Sequence, residues 1–351
     1  MIPHMPDNII VIPVEIRAQG RFRAVVHTGH EYDEFGNITK FGKVLRETQF
    51  GNNKITLSGF DRAMLNQGSS LCMVAGAGNT APSESDTTLV SYLGKTQTFA
   101  SASTTRNTTP DVNGDVWWRC TKRMTFGPSS MGGGSVNVSE AGIVTNVGFS
   151  SINGATVLTA RGLLVDGSNN PTTVSVNNAV EYLDIIWEFT EYVKASVTGT
   201  VTLTIDGVSV VHDYEVRPYW FDFTGASYTA AGWANVGNSD WGPRIQPVGD
   251  STYNWDEASN CFTGAITAIT GNNLGNGTRA DIPIQGVGAY TNGSKQRSVS
   301  FTWLPLNGNK NITVIRANLG HTSWQVSYDP PIAKVSTKQL NLQFVLSYAN
   351  K

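Results

Sequence analysis

The stretch that most constrains the fold is residues 156–193, where two apolar runs, 157–165 and 182–193, bracket the polar insert Asp166-Gly167-Ser168-Asn169-Asn170-Pro171. Asp-Gly supplies the positive φ of a tight turn, and Pro171 keeps the residue before it out of a helix. At period two, Leu183, Ile185, Trp187, Phe189 and Val193 share one side. Asp184, Glu188 and Thr190 share the other, which is the pattern of a half-buried strand. At helical spacing Tyr182, Ile185, Ile186, Phe189 and Val193 also form a stripe. β-branched and aromatic residues dominate and Ala, Lys and Arg are scarce, so the strand is the better reading. The expectation is two mutually paired strands flanking the turn, the core of a β-sandwich, with the carboxylates on a solvated face.

Composition points the same way. The 351 residues include 36 Gly and only 15% charged residues, with abundant Ser, Thr and Asn, which suits many short strands and turns. A net charge of −2 excludes a strong general pull on nucleic acid or an anionic membrane. Cys72, Cys120 and Cys261 are widely spaced and form no CxxC pair, so they read as buried small side chains. The first residues lack a basic leader and no stretch approaches a membrane span, so no membrane insertion is expected.

Along the chain, residues 1–70 read as an N-terminal β region suited to docking, with one short helix at residues 58–65. Ser58 is its expected cap, with Asp61 reaching back. Residues 71–215 read as a β-sandwich, with 96–115 as a long polar excursion and Asp206-Gly207 as a hairpin turn. Residues 216–351 combine aromatic-rich loops with a C-terminal β-sandwich whose last strand alternates Leu340, Leu342, Phe344, Leu346 and Tyr348. The fold class is all-β: antiparallel, sandwich-like with a jelly-roll character, either one assembly or two sandwiches.

Candidate chemistry is sparse. His27, His30, Glu31 and Asp33 lie within seven positions, the residue types of a metal site. A strand end entering a turn carries such residues anyway, and no later His or Cys cluster completes a shell, so no metal is assigned. Glu181, Asp184, Glu188 and Glu191 crowd one segment, but Asp184 and Glu188 would lie about 13 Å apart along a strand, too far for a glycosidase pair. Met131-Gly132-Gly133-Gly134 lacks the lysine of a phosphate loop. No Ser-His-Asp order stands out, so neither a catalytic residue nor a cofactor site is assigned. Trp220, Trp233, Trp241, Tyr253 and Trp255, set in a Gly/Asn-rich background, are the candidate contacts for a glycan or a protein.

Four places resemble a family of tailed-bacteriophage structural proteins. The first runs from Gly20-Arg21-Phe22-Arg23 to Phe50-Gly51-Asn52-Asn53-Lys54-Ile55-Thr56-Leu57-Ser58-Gly59-Phe60-Asp61. It is similar to a basic strand followed by F-x-N-x-I-T-x-x-G-L-D. The second, Cys72 to Pro82 with Asp86-Thr87 downstream, is similar to a V-G-x-G-x-T-x-P loop. The third joins Arg161-Gly162-Leu163-Leu164-Val165-Asp166-Gly167 to Pro171-Thr172-Thr173-Val174 and Glu181-Tyr182-Leu183-Asp184. The fourth is Tyr328-Asp329-Pro330-Pro331-Ile332-Ala333-Lys334.

None of these motifs is catalytic. The resemblance implies a non-enzymatic virion component of the tail, tail tip or fibre, made in the bacterial cytoplasm. Its expected partners are other virion proteins and further copies of itself, a trimer being one arrangement. The alternatives are a receptor- or carbohydrate-binding module acting on a host surface, and a neck, collar or head-decoration protein.

Overall fold

The computed structural model describes residues 9–35, 38–65, 70–107, 109–146, 156–205, 207–219, 260–263, 278–279, 284–287, 289–303, 311–319, 322–333, 337 and 339–351. They form an all-β protein with one short helix. The N-terminal part holds β1 (Ile9–His27), β2 (Glu31–Tyr32), β3 (Ile38–Lys40), β4 (Val44–Glu47), β5 (Gly51–Ile55) and α1 (Leu57–Leu65). The middle begins with β6 (Ser70–Gly76), β7 (Tyr92–Thr96), β8 (Phe99–Asn107), β9 (Asp115–Phe126), β10 (Ser135–Val138) and β11 (Glu140–Asn146). It continues with β12 (Thr156–Leu163), β13 (Val174–Asn177), β14 (Tyr182–Lys194), β15 (Val197–Ile205) and β16 (Val208–Tyr219). The last part holds β17 (Asn260–Thr263), β18 (Thr278–Arg279), β19 (Ile284–Val287), β20 (Gln296–Trp303), β21 (Asn311–Leu319), β22 (Thr322–Ala333) and β23 (Leu340–Asn350).

β1 is the spine. Its even positions from Ile10 to Val26 are apolar or small, and Ile10, Ile12, Phe22, Ala24 and Val26 are wholly buried. That unbroken period-two pattern carries one strand through Pro13 and Gly20. One side of β1 pairs in succession with β23 (parallel), β5 and β4, while Ile16–His27 pairs antiparallel with β14 on the other side. Further strands extend from each partner: β20 and β19 beyond β23, β12, β11, β6 and β7 beyond β5, and β9 and β8 beyond β14. Pro13 lies in the half of β1 that has a strand on one side only, as a proline in a sheet requires.

The two apolar runs of residues 156–193 do not pair with each other. β12 pairs with β5 and β11, whereas β14 pairs with β1 and β9. The Asp166 turn does form, with the carboxylate accepting the Ser168 and Asn170 N–H groups. It delivers the chain into β13, which pairs with β10. Local turn chemistry was legible, but one partner of each strand, β5 for β12 and β1 for β14, lies more than a hundred positions away in the chain. The stretch read as a polar excursion also contains β8, whose Ser/Thr-rich run pairs along β9.

A second, antiparallel sheet follows the order β15-β16-β22-β21-β17-β18. Its Leu203, Val216, Ile312, Trp324, Val326 and Ile332 join the first sheet's Phe22, Trp187, Phe189, Phe301 and Phe344 in one apolar core. The architecture is sandwich-like, and all three sequence segments contribute strands to its first sheet. Among the described residues no helix is long and apolar enough to cross a membrane. α1 is capped by Thr56, whose Oγ1 accepts the Gly59 N–H, and not by Ser58. Asp61 accepts the Tyr290 hydroxyl and the Gly293 N–H instead of closing a capping box.

Where the ends of β23 and β5 meet beside β1, the sheet forks. Asn350 fills the gap: its Oδ1 accepts the Ile55 N–H and its Nδ2 donates to the Ile55 carbonyl, both at 3.1 Å. This side chain substitutes for a missing stretch of ladder. Asn350→Ala should lower the unfolding free energy by about 1–3 kcal/mol, because a buried peptide group loses its partners. Urea unfolding tests this. A loss no greater than that of the exposed control Asn52→Ala would overturn it.

Candidate functional site

β14 lies between β1 and β9 and is buried along nearly its whole length. Asp184, Glu188 and Thr190, expected on a solvated face, are 0%, 8% and 3% exposed. The same face of the neighbouring strands carries Arg21 and Arg23 from β1 and Arg119 and Arg123 from β9, and their long side chains cover the carboxylates. Arg21 Nε donates to Glu188 Oε1 at 2.9 Å, and Arg119 Nε lies 3.4 Å from the same oxygen. Arg21 stacks over Phe50 at 5.0 Å, Arg119 over Trp117 at 4.7 Å and Arg123 over Phe41 at 4.9 Å. Burial of β14 therefore follows from its neighbours' cations, which its own sequence does not contain.

At one end of this face Asp184 meets His27 and His30. His27 Nε2 is 3.2 Å from Oδ1, too bent for a full hydrogen bond, and His30 Nε2 is 3.1 Å from Oδ2. Thr125 Oγ1 donates to Oδ1 at 2.6 Å, and Arg123 Nη1 stands 3.5 Å from Oδ2. The imidazoles stack in parallel, centroids 4.0 Å apart, with Tyr182 5.6 Å beyond. Gly29, between them in sequence, has φ +104°, and a Cβ there would sit 2.8 Å from the Tyr182 ring. Only glycine suits that reversal.

These three residues bring ligand atoms within 4.8 Å of one another, so the donor types of a metal site are present. Their protons argue otherwise. His27 Nδ1 accepts the Gly29 N–H and His30 Nδ1 accepts the Gly42 N–H, each at 3.0 Å. Each ring thus carries its proton on Nε2, the atom that faces Asp184. A cation would need both protons removed, both Nδ1 atoms protonated against N–H donors, and tolerance of the Arg123 guanidinium. The donor set does not fit a metal. It fits a clamp in which one carboxylate and two backbone amides hold residues 28–43 on the sheet. Glu31 pairs with Lys40 and Asp33 accepts the Phe35 N–H, so both stand apart from the cluster.

Burial pushes the His30 imidazole below its ordinary value, and Asp184 offsets this only in part. Burial raises the Asp184 carboxyl, but the facing His27 imidazole, the Thr125 hydrogen bond and the His30 imidazole outweigh that and hold it below the usual carboxylate range. Both depressed groups bind protons more readily in the unfolded chain, so stability is lost as pH falls. For His30 the loss begins below its ordinary value of 6.5. The protection factors of the Gly29 and Gly42 amides, taken against intrinsic exchange at each pH, should fall between pH 7 and pH 5, and His30→Asn should flatten that dependence. Pair-independent, unchanged protection down to pH 5 would refute the clamp.

A second buried cluster joins two segments that the sequence singled out separately. Arg161, 1% exposed, donates from Nε to Glu140 Oε2 at 2.7 Å, from Nη1 to Asp86 Oδ2 at 2.8 Å and from Nη2 to the Thr80 carbonyl at 2.8 Å. Glu140 Oε1 also accepts the Gly78 and Ser91 N–H groups, at 3.0 and 2.9 Å. This knot fixes loop 77–91 to β11 and β12. Glu140 was missed from sequence because a lone glutamate beside a small-residue strand carries no local signal. Arg161→Met should cost about 3–5 kcal/mol, since it strands buried carboxylates. A loss below about 1 kcal/mol in chemical denaturation would sink that assignment.

The thiols of Cys72 and Cys120 are buried and pushed up to about 11, so they stay protonated at neutral pH. Trp220, Trp233, Trp241, Tyr253 and Trp255 lie outside the described residues. Comparison of the chain with protein-family models, with curated proteins and with solved structures finds no match.

Proposed function

We propose that this chain is a non-enzymatic structural component of a tailed-bacteriophage virion, in the tail, tail tip or fibre, assembling with other virion proteins and with further copies of itself. The observation that carries the reading is the knot at Arg161. The Gly78–Pro82 loop with Asp86 and the Arg161 strand are two of the four places of resemblance, and they meet through Glu140 in one buried ionic contact. The residues that carry the resemblance thus work as fold-defining contacts, in keeping with a structural part. The histidine clamp has the same character, since its groups are used up in holding a loop.

Gold-labelled antibody against the chain, viewed on intact particles by electron microscopy, tests the proposal. Labelling on the tail is the expected result. Purified particles that carry neither label nor peptides of this chain by mass spectrometry, from a lysate that contains both, would overturn it.

A further inference from the structure

The hairpin of β15 and β16 ends the second sheet, and β15 pairs only with β16 among the described residues. Its other edge carries a row of main-chain donors and acceptors that no strand among the described residues pairs. Other edges among the described residues are short or blunted: β18, β19 and β7 have two, four and five residues, the open half of β1 contains Pro13 and Glu15, and β8 carries a register shift and Arg106. β15 has none of these devices. Its nine residues, Val-Thr-Gly-Thr-Val-Thr-Leu-Thr-Ile, hold no charge and no proline, and they run in unbroken register with β16. The hairpin's return strand exposes Val208, Val210 and Val211 at 63%, 37% and 57%. A chain presenting this edge to solvent would pair with whatever strand it met.

The sequence of β15 indicates which strand that is. It is self-complementary about Val201. Antiparallel pairing on a two-fold axis through Val201 sets Thr200 opposite Thr202 and Thr198 opposite Thr204, with Gly199 opposite Leu203. Threonines face threonines on the exposed side, and cross-strand threonine pairs stabilise a sheet. On the inner side Leu203 is buried and Val201 half-buried, and the ring of Tyr214 lies against Gly199, 2.5 Å from where a Cβ would be. The small residue thus stands opposite the large one. We infer that β15 is an assembly edge that pairs with β15 of a second copy of this chain, joining two six-stranded sheets into one across a two-fold axis. This gives a geometry to the self-association in the proposed function, and it specifies a dimeric contact where a three-fold ring was one expectation.

Light scattering coupled to size exclusion on the full chain tests it. The wild type should elute at twice 37.8 kDa at micromolar concentration. Thr200 and Thr202 are both exposed, so charges there leave the core intact. Thr200→Lys with Thr202→Lys sets like charges opposite each other and should weaken the dimer at least about tenfold. Thr200→Lys with Thr202→Glu sets opposite charges across the same axis and should restore it, which separates lost pairing from lost folding. A monomeric wild type, or an oligomer indifferent to the double-lysine change, would overturn the inference. Either result would leave tail labelling on particles unaffected, and absent labelling would leave the dimer unaffected.

Discussion

At Ile16, Arg17 and Ala18 the main chain of β1 is paired in both directions at once, to β23 on one side and β14 on the other. Either partner alone would leave β1 an edge. With both, a nineteen-residue strand becomes the seam on which strands from the start, middle and end of the chain are hung. Its even positions build the apolar core and its odd positions bring arginines to the opposite face. Those arginines in turn allow β14 to be buried on both sides. Backbone pairing, core packing and the ionic face therefore depend on the same register, and a slip of one residue would exchange the two faces.

Burying carboxylates in such a sheet is costly unless each finds partners. Asp184 has two imidazoles, a threonine and a guanidinium; Glu188 has two guanidinium groups; Glu140 has Arg161 and backbone amides; Asp115 has Arg17 and Lys194. Glu191 is the contrast. It lies on the core face with the Tyr348 hydroxyl 3.2 Å away, and burial pushes its carboxyl up to about 7. A raised acid favours the folded state below its unfolded pKa, and that contribution is lost as pH rises through about 7. His30 and Asp184 act in the opposite sense, so the two ends of the β1–β14 pairing respond oppositely to pH.

The ionic contacts also bear on what the molecule does. Two polar clusters tie a loop to a sheet and a third joins strands: the histidine clamp holds the loop after β1, the Arg161 knot holds 77–91, and Asn350 bridges the fork at β5. Such a molecule spends its polar chemistry on rigidity. Among the described residues β15 leaves a strand edge with neither charge nor proline, the edge inferred to pair with a second copy.

The sequence by itself determined the all-β class, the Asp166 turn, the β15–β16 hairpin, the short helix and the C-terminal alternating strand, because these follow from local periodicity and turn chemistry. It also marked His27, His30, Asp184 and Arg161 as residues of interest, though not as partners. Only the tertiary structure decided that β12 and β14 separate, that β14's carboxylates are buried, and that Asp184 joins His27 across 157 positions and Arg161 joins Asp86 across 75. The physical reason is that strand pairing is non-local: period two says which face a residue occupies, while the neighbour that neutralises or covers it comes from whichever strand the long-range register sets beside it.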